Sequence, residues 1–287
     1  MTTAEFIYTK LLKPPPLKYL ANKIILFLLP KSVNVGGATV VLNKRDPVVS
    51  GALTFRIYER NEIAFFKRIL EPGQTMLDIG ANVGLYTALG GKVIGPAGRI
   101  MSLEPDLQSL KYLKETVSKN NLDFAEVINA AASDQCGTAR LHVSNSNRGD
   151  NRLYANELSD ESFEVETVRI DDLLMDRGIA SVDVIKIDVQ GFEGQVISGM
   201  EKILKESQNL RMLMEFWPKG LEDAGSDSEQ LLIKLESLGL RVYELKSKGN
   251  FLRILNKREF IERFPGRAYT NLVVLGSGVE LDPSSRS

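Results

Sequence analysis

Met76-Leu-Asp-Ile-Gly-Ala-Asn-Val-Gly84 is the stretch from which the architecture can be read. Met76 to Ile79 has the apolar run of a short buried strand, Gly80 the freedom for a tight turn, and the residues from about Gly84 to Val93 a helical pattern. The same rhythm continues outward. Arg99 to Leu103 predicts a second strand, Leu107 to Lys119 a helix, and Glu126 to Asn129 a third strand. Val182 to Ile187 predicts a fourth, with a helix through Leu204, and Leu210 to Phe216 a fifth. A helix over Glu229 to Leu238 and strands at Arg241 to Leu245 and Thr270 to Leu275 close the series. Repeated βα units of this length predict a doubly covered, mostly parallel α/β sheet.

Two regions break the rhythm. Residues 1–70 predict a helical and hairpin cap, with strands at Ala38 to Leu42 and Leu53 to Ile57 and a helix over Asn61 to Leu70. Residues 71–276 form the main domain, and 137–170 read as a hairpin or lid inserted in it, around the polar run from Ser144 to Asn151. Residues 277–287 read as a frayed tail.

Composition narrows the chemistry. The 287 residues carry 36 Lys+Arg against 37 Asp+Glu, a net charge of -1, which speaks against a nucleic-acid partner. A single cysteine, Cys136, and a single histidine, His142, remove most Ser-His-Asp and Cys-His schemes and any multi-histidine metal site. Carboxylates, Lys, Tyr, Asn or a cofactor must carry the reaction. The apolar run from Leu20 to Pro30, ringed by lysines, is too short to span a bilayer. It reads as a packed helix, with contact to a membrane surface as the alternative. Cysteine usage suits a cytoplasmic protein, or one peripheral to the inner face of the membrane.

The candidate site residues lie at strand ends, where open α/β sheets bind ligands. The G-x-x-x-G spacing of Gly80 and Gly84 is not the dinucleotide fingerprint; it suits an adenosine ligand without a pyrophosphate, with Gly84 admitting it to the helix start and Asp78 placed for an ammonium group. Glu104, followed by Pro105 and twenty residues after Gly84, is placed to accept both hydroxyls of a ribose. The small residues Ala130 to Ala132, with Ser133 and Asp134 after them, suit the edge of a purine. Lys186 and Asp188 share one side of the fourth strand's end, and Glu215 ends the fifth beside Trp217, the only tryptophan.

These motifs resemble those of the FkbM family of S-adenosylmethionine-dependent methyltransferases. The resemblance rests on Leu77-Asp-Ile-Gly-Ala-Asn-Val-Gly84, Leu103-Glu-Pro105, Arg169-Ile-Asp-Asp-Leu-Leu174, Ile185-Lys-Ile-Asp-Val-Gln-Gly-Phe-Glu193 and Met214-Glu-Phe-Trp-Pro218, and runs from about Gly36 to Tyr243. It implies a Rossmann-like class I methyltransferase sheet whose last strand is antiparallel. It implies that Gly80, Asn82 and Gly84 contact the methionine part of the cofactor with Asp78 nearby, that Glu104 holds the ribose, and that Ser133 and its neighbours flank the adenine. Glu59 and Glu62 match acids that close over the cofactor, or are exposed helix carboxylates. Gln190 departs from the family, which commonly has an acid there. Many relatives methylate hydroxyls of sugars or glycosylated natural products.

An acceptor hydroxyl needs a base or a metal. Asp188 is the first candidate, with Lys186 stabilising developing alkoxide charge and Glu193 and Glu215 as second candidates. The residues leave open a divalent cation such as Mg held by Asp188 and Glu215. Asn151, Arg152 and Trp217 are candidates for the acceptor side; a solvated loop explains the first two equally well. The expected activity is O-methylation of a sugar hydroxyl on a glycan, nucleotide sugar or glycosylated small molecule. The alternatives are a non-catalytic Rossmann-like binding protein and a methyltransferase with a non-sugar acceptor.

Overall fold

The computed structural model describes residues 29–44, 46–144, 148–154 and 161–281. The Leu20 to Pro30 segment lies almost wholly outside these residues, as does the end of the tail. No helix among the described residues is long and apolar enough to cross a membrane.

An eight-stranded sheet organises the molecule. Five strands are parallel neighbours: β5 (Ala125–Ile128), β4 (Arg99–Leu103), β3 (Thr75–Ile79), β9 (Val184–Ile187) and β10 (Arg211–Phe216). Beyond β10 lies β13 (Thr270–Leu275), antiparallel to it and to β11 (Arg241–Leu245), and β12 (Phe251–Arg253) closes that edge. The expected Rossmann-like sheet with an antiparallel last strand is therefore present.

Alternation along the strands sets the two faces. Leu77, Ile79, Met101, Leu103, Ile185, Ile187, Met212 and Met214 join one apolar cluster. It is covered by α5 (Ile170–Met175), α6 (Glu193–Ser198), α7 (Glu201–Glu206), α8 (Pro218–Asp223), α9 (Ser228–Ser237) and α10 (Lys257–Glu262). Met76, Ile100, Val184 and Leu213 face the other way, under α1 (Pro47–Thr54), α2 (Arg60–Ile69) and α3 (Leu85–Ile94). On this second face the residue two further along each strand is polar: Asp78, Ser102, Lys186 and Glu215. Register puts Asp78 opposite both Ser102 and Lys186. The face is thus apolar where the strands enter and polar where they leave.

The N-terminal region differs from expectation at two elements, the partner strand of the hairpin and the segment Leu53 to Ile57. The hairpin is β1 (Ser32–Val35) on β2 (Ala38–Val41), turning through Gly36 and Gly37. Leu53 to Ile57, expected as a strand, is the end of α1 and the turn after it. The side chain of Asp46 accepts from the amides of Val48 and Val49 at 3.1 and 3.0 Å, and Pro47 occupies the first helical position. That cap and proline start a helix which carries Leu53 into the core. The hairpin is held from α4 (Leu107–Lys119), whose Thr116 hydroxyl accepts from the Val41 amide at 3.0 Å.

In the insertion, β7 (Gly137–Val143) pairs antiparallel with β8 (Glu161–Val168), and β6 (Ala131–Ala132) adds in parallel to β8. The backbone of His142 pairs with that of Arg152, which brings the short 148–154 segment back over the sheet end. The tail is not frayed through Leu281. The Gly278 amide donates to the Gln208 carbonyl at 2.9 Å, and Val279 is buried.

Candidate active site

The C-terminal ends of β3, β4, β9 and β10 open into a cavity of about 460 Å³. One end is walled by Gly80 to Val83, Glu104, Pro105 and Ala130 to Ala132; the other by Lys186, Asp188, Gln190, Glu215 and Trp217. Tyr58, Glu59 and Tyr86 close it from the cap side, and Asn151, Arg152, Arg267 and Tyr269 form its outer wall.

The turn after β3 is built for closeness. Gly80 has φ of 81°, and a Cβ there would fall 2.0 Å from the Asp188 carbonyl oxygen, so only glycine fits. Asn82 is also left-handed, at φ 50°. Its amide donates to Glu104 Oε2 at 2.8 Å, while its own buried Oδ1 has no hydrogen-bond partner among the described residues. Gly84 has a different reason from the one expected. It does not line the cavity; a Cβ there would meet Leu113 Cδ1 at 2.7 Å, so it lets α3 pack on α4.

Glu104 is buried, with Oε1 accepting from the Asp106 amide at 2.8 Å. Burial pushes its carboxyl up to about 8, against the pull of the two amides. Asp78 lies behind the cavity wall, not on it. Its Oδ2 accepts from the Thr87 hydroxyl at 2.6 Å, and burial raises it to about 6. Ser133 and Asp134 are likewise off the wall, bonded to each other at 3.1 Å; the three alanines before them face the cavity instead.

At the other end Lys186 is almost wholly buried at 2% exposure. Its Nζ lies 3.4 Å from Asp188 Oδ2 and 5.1 Å from the centre of the Tyr86 ring. Burial opposes its charge, but Asp188, Glu59, Glu215 and Asp78 outweigh that and hold its pKa above the usual lysine value. Asp188 Oδ1 accepts from Gln190 Nε2 at 2.7 Å, and the same nitrogen donates to Glu215 Oε1 at 3.2 Å. Burial, with Asp188 and Glu193 nearby, pushes Glu215 well above the usual carboxylate range.

Glu193 is not with them. It is fully buried off the cavity wall, its Oε1 accepting from the amides of Val189 and Gly191 at 3.2 and 3.3 Å. It shapes the loop after β9, and burial raises it to about 7. Asn151 accepts from the Ser144 amide at 3.0 Å. The Arg152 guanidinium stacks 4.5 Å from the centre of Trp217, 5.6 Å from that of Tyr154, and pairs with Asp150. Trp217 donates to the Gly266 carbonyl at 2.8 Å.

The two acids before β3 separate. Glu59, left-handed at φ 40°, lines the cavity and accepts the Tyr86 hydroxyl. Burial raises it to about 7, against the pull of Lys186. Glu62 stays off the wall, accepting from Asn271 at 2.9 Å. Tyr58, Tyr86, Tyr269 and Arg267 went unrecognised in the sequence. Tyr86 alone had a signal, since it follows the turn by two residues and so faces the ligand end of α3.

A parallel sheet with a glycine turn after β3, an acid at the end of β4 and an antiparallel final strand defines the Rossmann-like methyltransferase fold class. The family model described as the methyltransferase FkbM domain matches residues 78–242, and the chain belongs to that family. It is 31% identical over 153 residues to the 2-O-methyltransferase NoeI of Sinorhizobium fredii, covering 48% of this chain and 62% of that one. It is 28% identical over 161 residues to the 31-O-demethyl-FK506 methyltransferase FkbM of Streptomyces tacrolimicus, covering 46% and 61%. The match thus spans less than two thirds of either relative. Among solved structures it is similar to the methyltransferase FkbM from Methylobacillus flagellatus KT, at TM-score 0.43 and 14% identity, covering 90% of this chain and 59% of that one.

Proposed function

We propose that this protein transfers a methyl group from S-adenosylmethionine to a hydroxyl of a sugar or glycosylated small molecule. The observation that carries this reading is the single cavity joining Glu104 and the β3 turn at one end to Asp188, Lys186 and Glu215 at the other. Family membership and the O-methyl chemistry in the names of the two relatives support it.

The residues suit the cofactor. Asn82 Oδ1 is a buried acceptor with no donor among the described residues, which an ammonium group would supply. Glu104 retains lone pairs for two ribose hydroxyls, and Ala130 to Ala132 offer an apolar slot for adenine. When bound, S-adenosylmethionine supplies an electrophilic methyl carbon. Asp188 takes the proton of the acceptor hydroxyl, and the Lys186 ammonium steadies the negative charge that develops on its oxygen. The Arg152–Trp217 stack forms a flat wall for the rest of the acceptor. Calorimetry of S-adenosylmethionine with the wild type and Glu104→Ala tests the reading: binding by the first and loss of at least about tenfold in the second supports it. A wild type that does not bind overturns it and favours a non-catalytic protein of this fold.

A further inference from the structure

Gln190 is held in place by contacts the reading above does not use. Its backbone is left-handed at φ 54°, which few residues other than glycine adopt. Its carbonyl accepts the Tyr154 hydroxyl at 3.0 Å. The next residue, Gly191, packs so closely on Gly220 that a Cβ would fall 2.6 Å from its carbonyl. The side chain therefore starts from a fixed backbone. From there Nε2 reaches both Asp188 Oδ1 and Glu215 Oε1, at 2.7 and 3.2 Å. The nitrogen is the end that faces them, because an amide oxygen there would meet the Asp188 carboxylate at 2.7 Å.

Two carboxylates this close need a proton, a cation or shared donors between them. Among the described residues, the charged groups acting on Glu215 besides Asp188 are Glu193 on α6, Glu59 before α2 and the cation Lys186 on β9, which Asp78 on β3 also faces; Arg152 and Arg267 stand elsewhere in the cavity lining. The amide supplies donors to both carboxylates without adding charge. An acid at position 190 would bring a third carboxylate to the same point and complete an oxygen set for a hard cation.

We propose that Gln190 is a positioning residue whose amide occupies the place between Asp188 and Glu215 that a divalent cation would fill, holding Asp188 toward the acceptor hydroxyl without metal. The inference deepens the methyl-transfer reading and rests on it for the role of Asp188.

Mn2+ alone is the probe, titrated into the full chain and followed by electron paramagnetic resonance. The wild type is expected to have no Mn2+ site that depends on Asp188. Gln190→Glu is expected to gain one, at least about tenfold tighter than any wild-type binding and lost again when Asp188→Asn is added. Gln190→Gly, which suits the left-handed backbone, removes the amide without strain and is expected to gain a weaker site. It serves if the Glu variant fails to fold. An Asp188-dependent site in the wild type overturns the proposal, as does silence in both folded variants. S-adenosylmethionine binding by each protein keeps the two readings apart. A wild type that does not bind it defeats the methyl-transfer reading, whereas intact binding with the wrong Mn2+ pattern defeats this inference alone.

Discussion

Gly80 and the carbonyl of Asp188 are in direct apposition, with 2.0 Å between that oxygen and the place a Cβ on residue 80 would take. The turn after β3 and the loop that carries Asp188 are thereby packed backbone against backbone.

Gly80→Ala is expected to destabilise the fold by more than about 3 kcal/mol, since left-handed strain and a clash with backbone add. Gly84→Ala, also left-handed at φ 84°, meets side chains rather than backbone, Leu113 Cδ1 at 2.7 Å and Thr116 Cγ2 at 3.3 Å, and should cost about 1–3 kcal/mol. Urea unfolding of both measures the order, and equal losses would contradict the difference in what each Cβ meets.

Burial pushes the Glu104 carboxyl up to about 8 in the free protein, and ribose hydroxyls donate more strongly to the ionised form. Cofactor binding should therefore release a proton near neutral pH, with affinity rising as pH climbs through about 8 and then levelling. Calorimetry in buffers of different ionisation enthalpy reads the proton directly. In Glu104→Gln the release should vanish along with roughly tenfold or more of the affinity.

Asp188→Asn should bind S-adenosylmethionine within about threefold of the wild type yet lose about 10²–10⁴ in turnover once an acceptor is in hand. A radiolabelled methyl-transfer assay over a panel of sugars and glycosides measures both. Full turnover in that variant would remove Asp188 from the chemistry.

Glu193 carries a stability signature. Its carboxyl is raised from 4.5 to about 7, so the native state holds the proton more tightly than the unfolded chain. That contribution is whole below the unfolded value and is lost as pH rises through about 7. Asp78, Glu59 and Glu104 are raised too and act in the same direction. The unfolding free energy of the cofactor-free protein, read by urea denaturation, should fall from about pH 5 to about pH 8, and Glu193→Gln should reduce that fall by on the order of 2 kcal/mol. An identical slope in the variant would show that Glu193 is not the group titrating.

Much of the sheet was legible because period-2 alternation and βα spacing are local properties. The same alternation placed Lys186 beside Asp188 and put Glu215 at the end of its strand. Contacts between distant segments were not legible. Nothing near Gly84 says that Leu113 will lie against it, and nothing near Glu193 says that its carboxylate folds back onto the loop it follows. Glu59 meets Tyr86 across 27 residues. Ser133 and Asp134 were one step too far along the chain, because β6 ends at Ala132 and the Ser133 amide then bonds the Val168 carbonyl, off the cavity wall. Leu53 to Ile57 has the alternation of a strand, but the helix begun by the Asp46 cap and Pro47 runs through Thr54 and takes it over.

Trp217 is the only tryptophan in the chain, and it sits in the cavity wall beneath the Arg152 guanidinium. A cation over an indole perturbs its excited state, so the intrinsic fluorescence of this protein reports on one place alone. Displacement of the 148–154 segment, or arrival of an acceptor against the indole, should change the emission with no label attached. The molecule thus carries its own optical probe for screening acceptors whose identity is not yet known.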